Sequence, residues 1–531
     1  MAEEISEACG VFGAISVAPE KEEQVFPYLY WGLLSLNHRG QQSYGFTTLD
    51  GGRFIKREDL NLIPTDPREV SKLARALRGT IGISNARYAT SGRSGVRHLQ
   101  GGKQPLVVSG KSKTIAISYN GNIVNGWQLK PLLRKEFGRF RTDADTEVLA
   151  KQLLLSLETN SGNYAKAVSE VLDTTEGAYS VMVLDSDGSF HAFRDVHGIR
   201  PYCFGKRDGL YAFASETPAL DINGIEEYDY VHPGELVSID QNGRLERSML
   251  RRSRKALCAF EFAYFSRPDS ILNGTRAPVY KIREAFAKTL AETYKERIAR
   301  DELIVSMPET ADDAAYGLHE ATGIPWERAV RKNRYVTRRA FISQKNDRGD
   351  VIDKKMNIVA GLVEGKRVAV IEDSIVRGDT TKINVGKLRR AQTSGIDVFV
   401  TFPKISNPCL YGVDMSTYGE LLGSKKTPEE MSRWMDADSL NYQTVEGLVR
   451  AIGLSQDDLC IACVTGAYPT PIAQALADES RRNYERGISE DGKRIYESSA
   501  LKKSKSARKS DSAEAAPSHG IESTAVIGKE K

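Results

Sequence analysis

Cysteine is scarce, with six in 531 residues. That is too few for a disulfide scaffold, so each cysteine needs its own account. Long apolar runs are missing, and no stretch could span a bilayer. Residues 1–8, Met1-Ala2-Glu3-Glu4-Ile5-Ser6-Glu7-Ala8, are acidic and lack the positive start and apolar run of a secretory signal. Net charge is also nearly absent. Of the formal +4, residues 501–531 supply +3 (seven Lys/Arg less four Asp/Glu), which leaves +1 for the body and no basic footprint for nucleic acid. There is no internal repeat. The expectation is a cytoplasmic protein with no membrane and no nucleic-acid partner.

What is present is ordinary for a globular chain, with 40% hydrophobic and 27% charged residues. Single cores rarely grow past roughly 250–300 residues, so a chain of this length predicts two large domains. In the first half, short strand-like runs over residues 10–15, 80–84, 114–118, 178–184 and 211–214 are separated by Gly-containing turns. Leu149, Leu153 and Leu157, with Val148 beside them, mark one face of a helix over residues 146–157. The first half therefore mixes strands and helices, an α+β pattern. Near Leu257 the character changes. Strands over 303–307, 367–371 and 398–402 then alternate with helices after Thr310 and Thr380, which predicts an α/β, doubly wound parallel sheet. From about residue 500 the chain is rich in Ser, Lys, Ala and Glu and too poor in large apolar residues to order itself.

Cys9 precedes Gly10-Val11-Phe12-Gly13. A thiol at a strand start beside glycines leaves room for a substrate to reach its sulfur, although a lone cysteine is as readily mere packing. Read with Asn37-His38-Arg39-Gly40-Gln41-Gln42-Ser43, Asn85-Ala86-Arg87-Tyr88-Ala89-Thr90, Asn120-Gly121-Asn122 and Asp145-Thr146-Glu147, it resembles the glutaminase domain of N-terminal-nucleophile amidotransferases. The resemblance implies an αββα fold and a propeptide, residues 1–8, whose removal frees the α-amine of Cys9 as general base. The thiol would attack the glutamine amide and form a glutamyl thioester. It places the oxyanion hole on Asn120 and Gly121, and the glutamine's α-carboxylate and α-amino group on Arg87 and Asp145. The latter two could equally be surface ion-pair members. The chain departs from that family at Asn85 and Tyr119, where histidine is usual.

Val368-Ala369-Val370-Ile371 leads into Glu372-Asp373-Ser374-Ile375-Val376-Arg377-Gly378-Asp379-Thr380-Thr381, an apolar strand, two acids and a hydroxyl- and Gly-containing turn that opens a helix. Such a turn suits a phosphate, and the adjacent carboxylates suit ribose hydroxyls or Mg²⁺. It resembles the phosphoribosyl pyrophosphate loop of type I phosphoribosyltransferases. Here Glu372 replaces the first of two usual aspartates, and Asp379 replaces a threonine. Pro308-Glu309-Thr310 resembles that family's pyrophosphate-side turn, with Thr310 an implied Mg²⁺ contact beside Glu372 and Asp373, although a plain helix cap would read the same way. Lys332-Asn333-Arg334-Tyr335-Val336 resembles the loop that closes over the substrate, and a solvated basic face is its alternative. Thr337-Arg338-Arg339-Ala340-Phe341 then departs from the family and carries an extra residue.

Cys460 and Cys463 form a C-x-x-C, which alone is ambiguous among zinc, cluster and redox pair. Cys258, before Ala259-Phe260-Glu261-Phe262, and Cys409, in Asn407-Pro408-Cys409-Leu410, lie in contexts similar to the cluster-bearing branch of the amidophosphoribosyltransferases. That resemblance implies a [4Fe-4S] centre on the four cysteines. Cys203 has no motif and is expected in the core.

The resemblance runs from Cys9 to Thr470. It implies a propeptide over 1–8, a glutaminase domain over 9–250, a phosphoribosyltransferase domain over 258–475 and a disordered tail over 500–531. It further implies glutamine and 5-phosphoribosyl 1-pyrophosphate as substrates, Mg²⁺ and the cluster as cofactors, a tetrameric homo-oligomer, feedback by purine nucleotides, and the first step of purine synthesis. A hexosamine-phosphate synthase would share the glutaminase half but not the phosphoribosyl loop. A non-catalytic regulatory paralogue is the other alternative, motivated by Asn85, Tyr119, Glu372 and Asp379.

Overall fold

Every residue of the strand Gly10–Ser16 is buried, which requires that both faces of its sheet be covered. Val11 and Ile15 pack with Met182, Leu184 and Phe190 of a second sheet. Phe12 and Ala14, on the opposite face, pack with Phe26, Leu29 and Leu33 of the helix Phe26–Ser35. The protein, seen here as a computed structural model, is described over residues 9–17, 24–88, 100–142, 144–333 and 355–488.

The first sheet has seven strands in the order Tyr228–Tyr230, Cys203–Arg207, Leu210–Ala214, Gly10–Ser16, Ile81–Arg87, Ser43–Asp50 and Arg53–Asp59. The second has six, in the order Leu245–Met249, Glu235–Ile239, Phe190–Arg194, Gly177–Asp185, Thr114–Ile123 and Leu106–Ser109. On its outer face Ile115, Ile117, Val181 and Val183 meet Leu149, Leu153 and Val168 of the helices Asp145–Thr159 and Tyr164–Thr174. Helix, sheet, sheet, helix is the αββα sandwich the resemblance implied.

The second half is a parallel five-stranded sheet, Trp326–Glu327, Leu303–Ser306, Arg367–Glu372, Gly395–Val400 and Ser439–Tyr442. Val368 to Ile371 are all fully buried, as in strands with helices on both faces. The helices Val279–Thr293 and Asp312–Thr322 pack on one another, as do Asp379–Arg390 and Pro428–Met435. The third strand starts three residues before the expected 398. Gly395 and Asp397 disguise its beginning, because both residue types are poor strand formers and Asp397 is tolerated there by its bonds to Arg367.

A helix over Pro471–Glu485 carries the second half past the expected boundary at 475. Ala473, Leu476, Ala477 and Ser480 form its buried face. Its first turn is anchored on the other half, because the carboxylate of Glu176 accepts from the N–H groups of Ile472 and Ala473 at 2.6 and 3.1 Å.

At the sheet end opposite the loop after Glu372, Asp301 is buried with neither carboxyl oxygen hydrogen-bonded among the described residues. Arg367 stands 3.6 Å from it and also bonds Asp397, while Asp438 and Glu302 face the same arginine. Burial, and then the charge of Asp397, push the Asp301 carboxyl up to about 8. The folded chain therefore holds a proton that the unfolded chain, with an aspartate near about 3.9, releases. Stability from this group is full below about pH 3.9 and is lost steadily as pH rises from there to about 8. Asp301→Asn is expected to flatten that loss, raising Tm relative to wild type at pH 8.5 by roughly 2–4 °C per kcal/mol recovered and at pH 6 by about half as much, since about half of the titration range lies below pH 6. Thermal unfolding across this range measures it.

Candidate active sites

Cys9 is buried at the head of its strand, and pairing of Gly10 with Ala86 sets the thiol beside Arg87. A Cβ on Gly10 would stand 2.9 Å from that of Leu36, so glycine lets the chain pass. Sγ donates to the carbonyl of Tyr88 at 3.5 Å. Burial pushes the thiol up and outweighs Arg87, the backbone hydrogen bond with Tyr88, Arg200 and Arg39, all of which favour the thiolate. To act as a nucleophile this thiol would need a base.

Asn120 and Gly121 lie on the strand Thr114–Ile123. Asn120 is fully buried, and neither atom of its side-chain amide has a partner among the described residues. Such an orphan costs about 1–3 kcal/mol unless a ligand or water supplies the partner. A Cβ on Gly121 would fall 1.9 Å from the carbonyl oxygen of Ala178. Arg87 is buried, and Gly102 lies so close that a Cβ there would be 2.7 Å from its guanidinium. Asp145, first residue of its helix, accepts from the N–H of Ile123 at 3.0 Å. Both are buried, so neither is the surface ion-pair member that sequence alone allowed. Ala89 and Thr90 of the second motif lie outside the described residues.

Behind the thiol lies a buried set of charges. Arg39 holds the Cys9 carbonyl at 3.5 Å, bonds both oxygens of Glu261 at 2.7 and 3.0 Å, and reaches Glu216 at 2.5 Å. Arg200 bonds Glu261 at 3.1 Å and the carbonyl of Tyr411 at 2.7 Å. His38 lies 2.8 Å from Glu216, whose other oxygen accepts from the N–H of Arg267 and from Ser270. Arg39 and Glu261 fall inside or beside quoted motifs. Arg200 and Glu216 carry no sequence signal.

The acid pair Glu372-Asp373 ends its strand at a cavity of about 490 Å³. Thr310, Lys332, Ser374, Ile375, Val376, Arg377, Gly378, Asp379, Thr380 and Thr381 line it, and His38 and Gln41 reach it from the glutaminase half. Gly378, at φ +82°, caps the helix Asp379–Arg390, whose first N–H groups are free of intrahelical partners. Asp373 accepts from Thr310 at 2.5 Å and from Ser374 at 2.6 Å. Thr310 is thus a site contact and not the helix cap, a place taken by Ala311 without a side-chain bond. The carboxyl of Glu372 accepts from Thr381 at 2.9 Å, and burial with the charge of Asp373 pushes it well up. Arg377 pairs with Glu420. Residues 334–354, including Arg334, Tyr335 and Val336, lie outside the described residues.

Cys258 and Cys460 face each other across the parallel pair Leu257–Cys258 and Leu459–Cys460. With Cys409 and Cys463 they line one small cavity of about 20 Å³, walled by Phe260, Tyr411, Met415 and Tyr468. All four are free thiols. Burial raises Cys258 to about 12 and pushes Cys460 and Cys463 up as well. Backbone hydrogen bonds with Phe260 and Ala462 favour the thiolates of Cys258 and Cys460, and the N–H of Tyr411 donates to Cys409 at 3.3 Å. Among the described residues no group of three or more His, Cys, Asp or Glu is set to hold a single metal ion. Cys203 packs in the core, its thiol on the carbonyl of Ala214.

Residues 92–222 match the family described as glutamine amidotransferase domain. Over 476 residues the chain is 34% identical to the amidophosphoribosyltransferase of Methanothermobacter thermautotrophicus, spanning 90% of this chain and 97% of that one. It is 35% identical to that of Bacillus subtilis, over 88% of this chain and 96% of the relative. The solved Bacillus subtilis glutamine phosphoribosylpyrophosphate amidotransferase, complexed with ADP and GMP, superposes with a TM-score of 0.76 over 87% of this chain and 98% of that one. No helix among the described residues is long and apolar enough to cross a membrane.

Proposed function

The chain belongs to the amidophosphoribosyltransferase family, and we propose from that membership how its residues divide the work. The protein is an enzyme of the first step of purine biosynthesis: it forms 5-phosphoribosylamine, glutamate and pyrophosphate from glutamine and 5-phosphoribosyl 1-pyrophosphate. Nothing in the comparisons favours a regulatory paralogue.

In our reading residues 1–8 are removed, residues 9–250 release ammonia and residues 258–475 use it. The freed α-amine of Cys9, with a reference value of about 7.7–8.0, takes the thiol proton without a histidine. The thiolate adds to the glutamine amide, which Arg87 and Asp145 hold by its carboxylate and amino group. Asn120 and the N–H of Gly121 receive the oxyanion. The observation that carries this is the buried Asn120 amide with no partner among the described residues. Ammonia leaves as the thioester forms, and water then releases glutamate.

At the second site Ser374, Ile375, Val376, Arg377, Gly378, Asp379, Thr380 and Thr381 cradle the 5′-phosphate. Lys332 faces the pyrophosphate, and Glu372 and Asp373 the ribose hydroxyls. Ammonia attacks C1, and pyrophosphate leaves with the bonding electrons. Asp373 and Thr310, already in contact, with Glu372 beside them, would hold Mg²⁺. Bound there, it would neutralise the leaving pyrophosphate. Purine nucleotides are the proposed feedback ligands, in line with the ADP and GMP on the Bacillus subtilis relative. We further propose a tetramer and a cytoplasmic location.

Cys258, Cys409, Cys460 and Cys463 would hold a [4Fe-4S] centre: all four line one small void, and the thiols of Cys258, Cys460 and Cys463, which burial keeps protonated, would give up their protons on binding iron. Its role is structural. Bound there, it would tie the loop of Cys409 and Tyr411, whose carbonyl holds Arg200, to the strand pair that ends at Cys258 and Cys460. Anaerobically purified protein is expected to be brown and to contain iron and sulfide at about four each per chain. Stoichiometric zinc without iron would refute the cluster.

A further inference from the structure

The strand that carries Asn120 and Gly121 is braced at a position where the chain departs from the glutaminase family, Asn85. The edge strand Leu106–Ser109 pairs with residues 114–117 and reaches no further along Thr114–Ile123. Just beyond it, the N–H of Tyr119 donates instead to the side-chain oxygen of Gln104, at 2.8 Å. Nδ2 of Asn85 completes the brace from the first sheet, with contacts of 3.3 Å to that same Gln104 oxygen, 3.2 Å to Oγ of Ser118 and 3.3 Å to the carbonyl of Tyr119. Ser118 in turn donates to the carbonyl of Ser84 at 2.9 Å. Ser84 and Asn85 thus grip Ser118 and Tyr119 across the two sheets, and all four are buried.

We propose that Asn85 is a positioning residue for the glutaminase: its side-chain amide fixes the Tyr119–Asn120 peptide, and so the oxyanion donors, against the strand that carries Arg87. The inference rests on the reading of Asn120 and Gly121 as those donors. No bond from its own side chain orients Asn120 among the described residues, so its aim is inherited from the backbone just before it. The same strand pairs at Ala86 with Gly10, next to the nucleophile, and ends at Arg87. One amide therefore sets the spacing between the oxyanion donor, the thiol and the carboxylate anchor.

An oxyanion exists only as the reaction proceeds, so a misplaced donor lowers kcat and spares substrate binding. Asn85→Ala is expected to lower glutamine-dependent kcat by about 10- to 100-fold, as displacements near 1 Å do, with KM for glutamine within about twofold and ammonia-dependent activity unchanged. Gln104→Leu breaks the brace from its other side and is expected to do the same, which keeps the test open if one variant misfolds. In the double variant with Asn120→Ala the loss should fall well short of the product of the two single losses, because Asn85 acts in large part through Asn120. Additive losses, or a rise in KM with kcat intact, would overturn the proposal. If Asn120→Ala itself leaves kcat untouched, it is the oxyanion reading that fails. If Asn120→Ala is impaired and both brace variants are not, only the brace fails.

Discussion

Cys9→Ala is expected to abolish ammonia release from glutamine, lowering that rate on the order of 10⁴-fold or more, the scale on which removal of a covalent nucleophile acts. Phosphoribosylamine formation from ammonium salts should persist. The cavity proposed for the ribose phosphate is lined in large part by residues 308–310 and 372–381, with Lys332, and its acids and hydroxyls bond each other and not the thiol. Separate assays of the glutamine- and ammonia-dependent reactions measure the split, and loss of both would place Cys9 in a shared structural role. Wild-type protein of full activity should have an intact mass lacking residues 1–8. Its glutaminase rate should rise with pH through about 7.7–8.0 as the α-amine loses its proton. Active protein that still carries Met1 would end the amine-as-base mechanism.

Much of this architecture could be read from the sequence because local patterns and tertiary demands agree. The run Val368 to Ile371 is apolar without a break because helices cover both faces of its sheet. Leu149, Leu153 and Leu157 mark a helix because they recur on the face that packs in one core with Ile115, Ile117 and Val181 of the sheet. The phosphate loop is legible because its chemistry is contiguous. What was not legible depends on distant partners. Arg200 and Glu216 stand in unremarkable stretches and become meaningful only when folding brings them to Arg39 and Glu261. Asp397 hid the start of a strand, since a buried aspartate is tolerable only beside Arg367. The helix Pro471–Glu485 was obscured by its charges, Asp478, Glu479, Arg481, Arg482 and Glu485, none of which joins Ala473, Leu476 and Ala477 in the buried set. Asn85 and Tyr119 stood out as departures, but what they do required the contacts across the sheets.

Glu261→Gln is expected to be the most damaging single change to the scaffold. Burial alone would raise the Glu261 carboxyl, but the charge and hydrogen bonds of Arg39, helped by Arg200, hold it below the usual range. Burial likewise opposes the charge on Arg39, and Glu261 and Glu216 restore it. Two buried cations are thus balanced by two buried anions. Removing one anion leaves an uncompensated charge at a cost of about 3–5 kcal/mol, read as a lower urea midpoint for the cooperative transition. Replacing Arg39 and Glu261 together by Met and Leu removes one charge of each sign, and should recover most of that loss because the neutral pair needs no desolvation. Catalysis should not recover with it. Arg39 also holds the Cys9 carbonyl, so glutamine-dependent turnover should stay low in the stable double variant while ammonia-dependent turnover returns. Recovery of both activities would reduce the network to packing alone, and recovery of neither would mean that the transferase cavity, reached through Glu216 and Arg267, depends on the same charges.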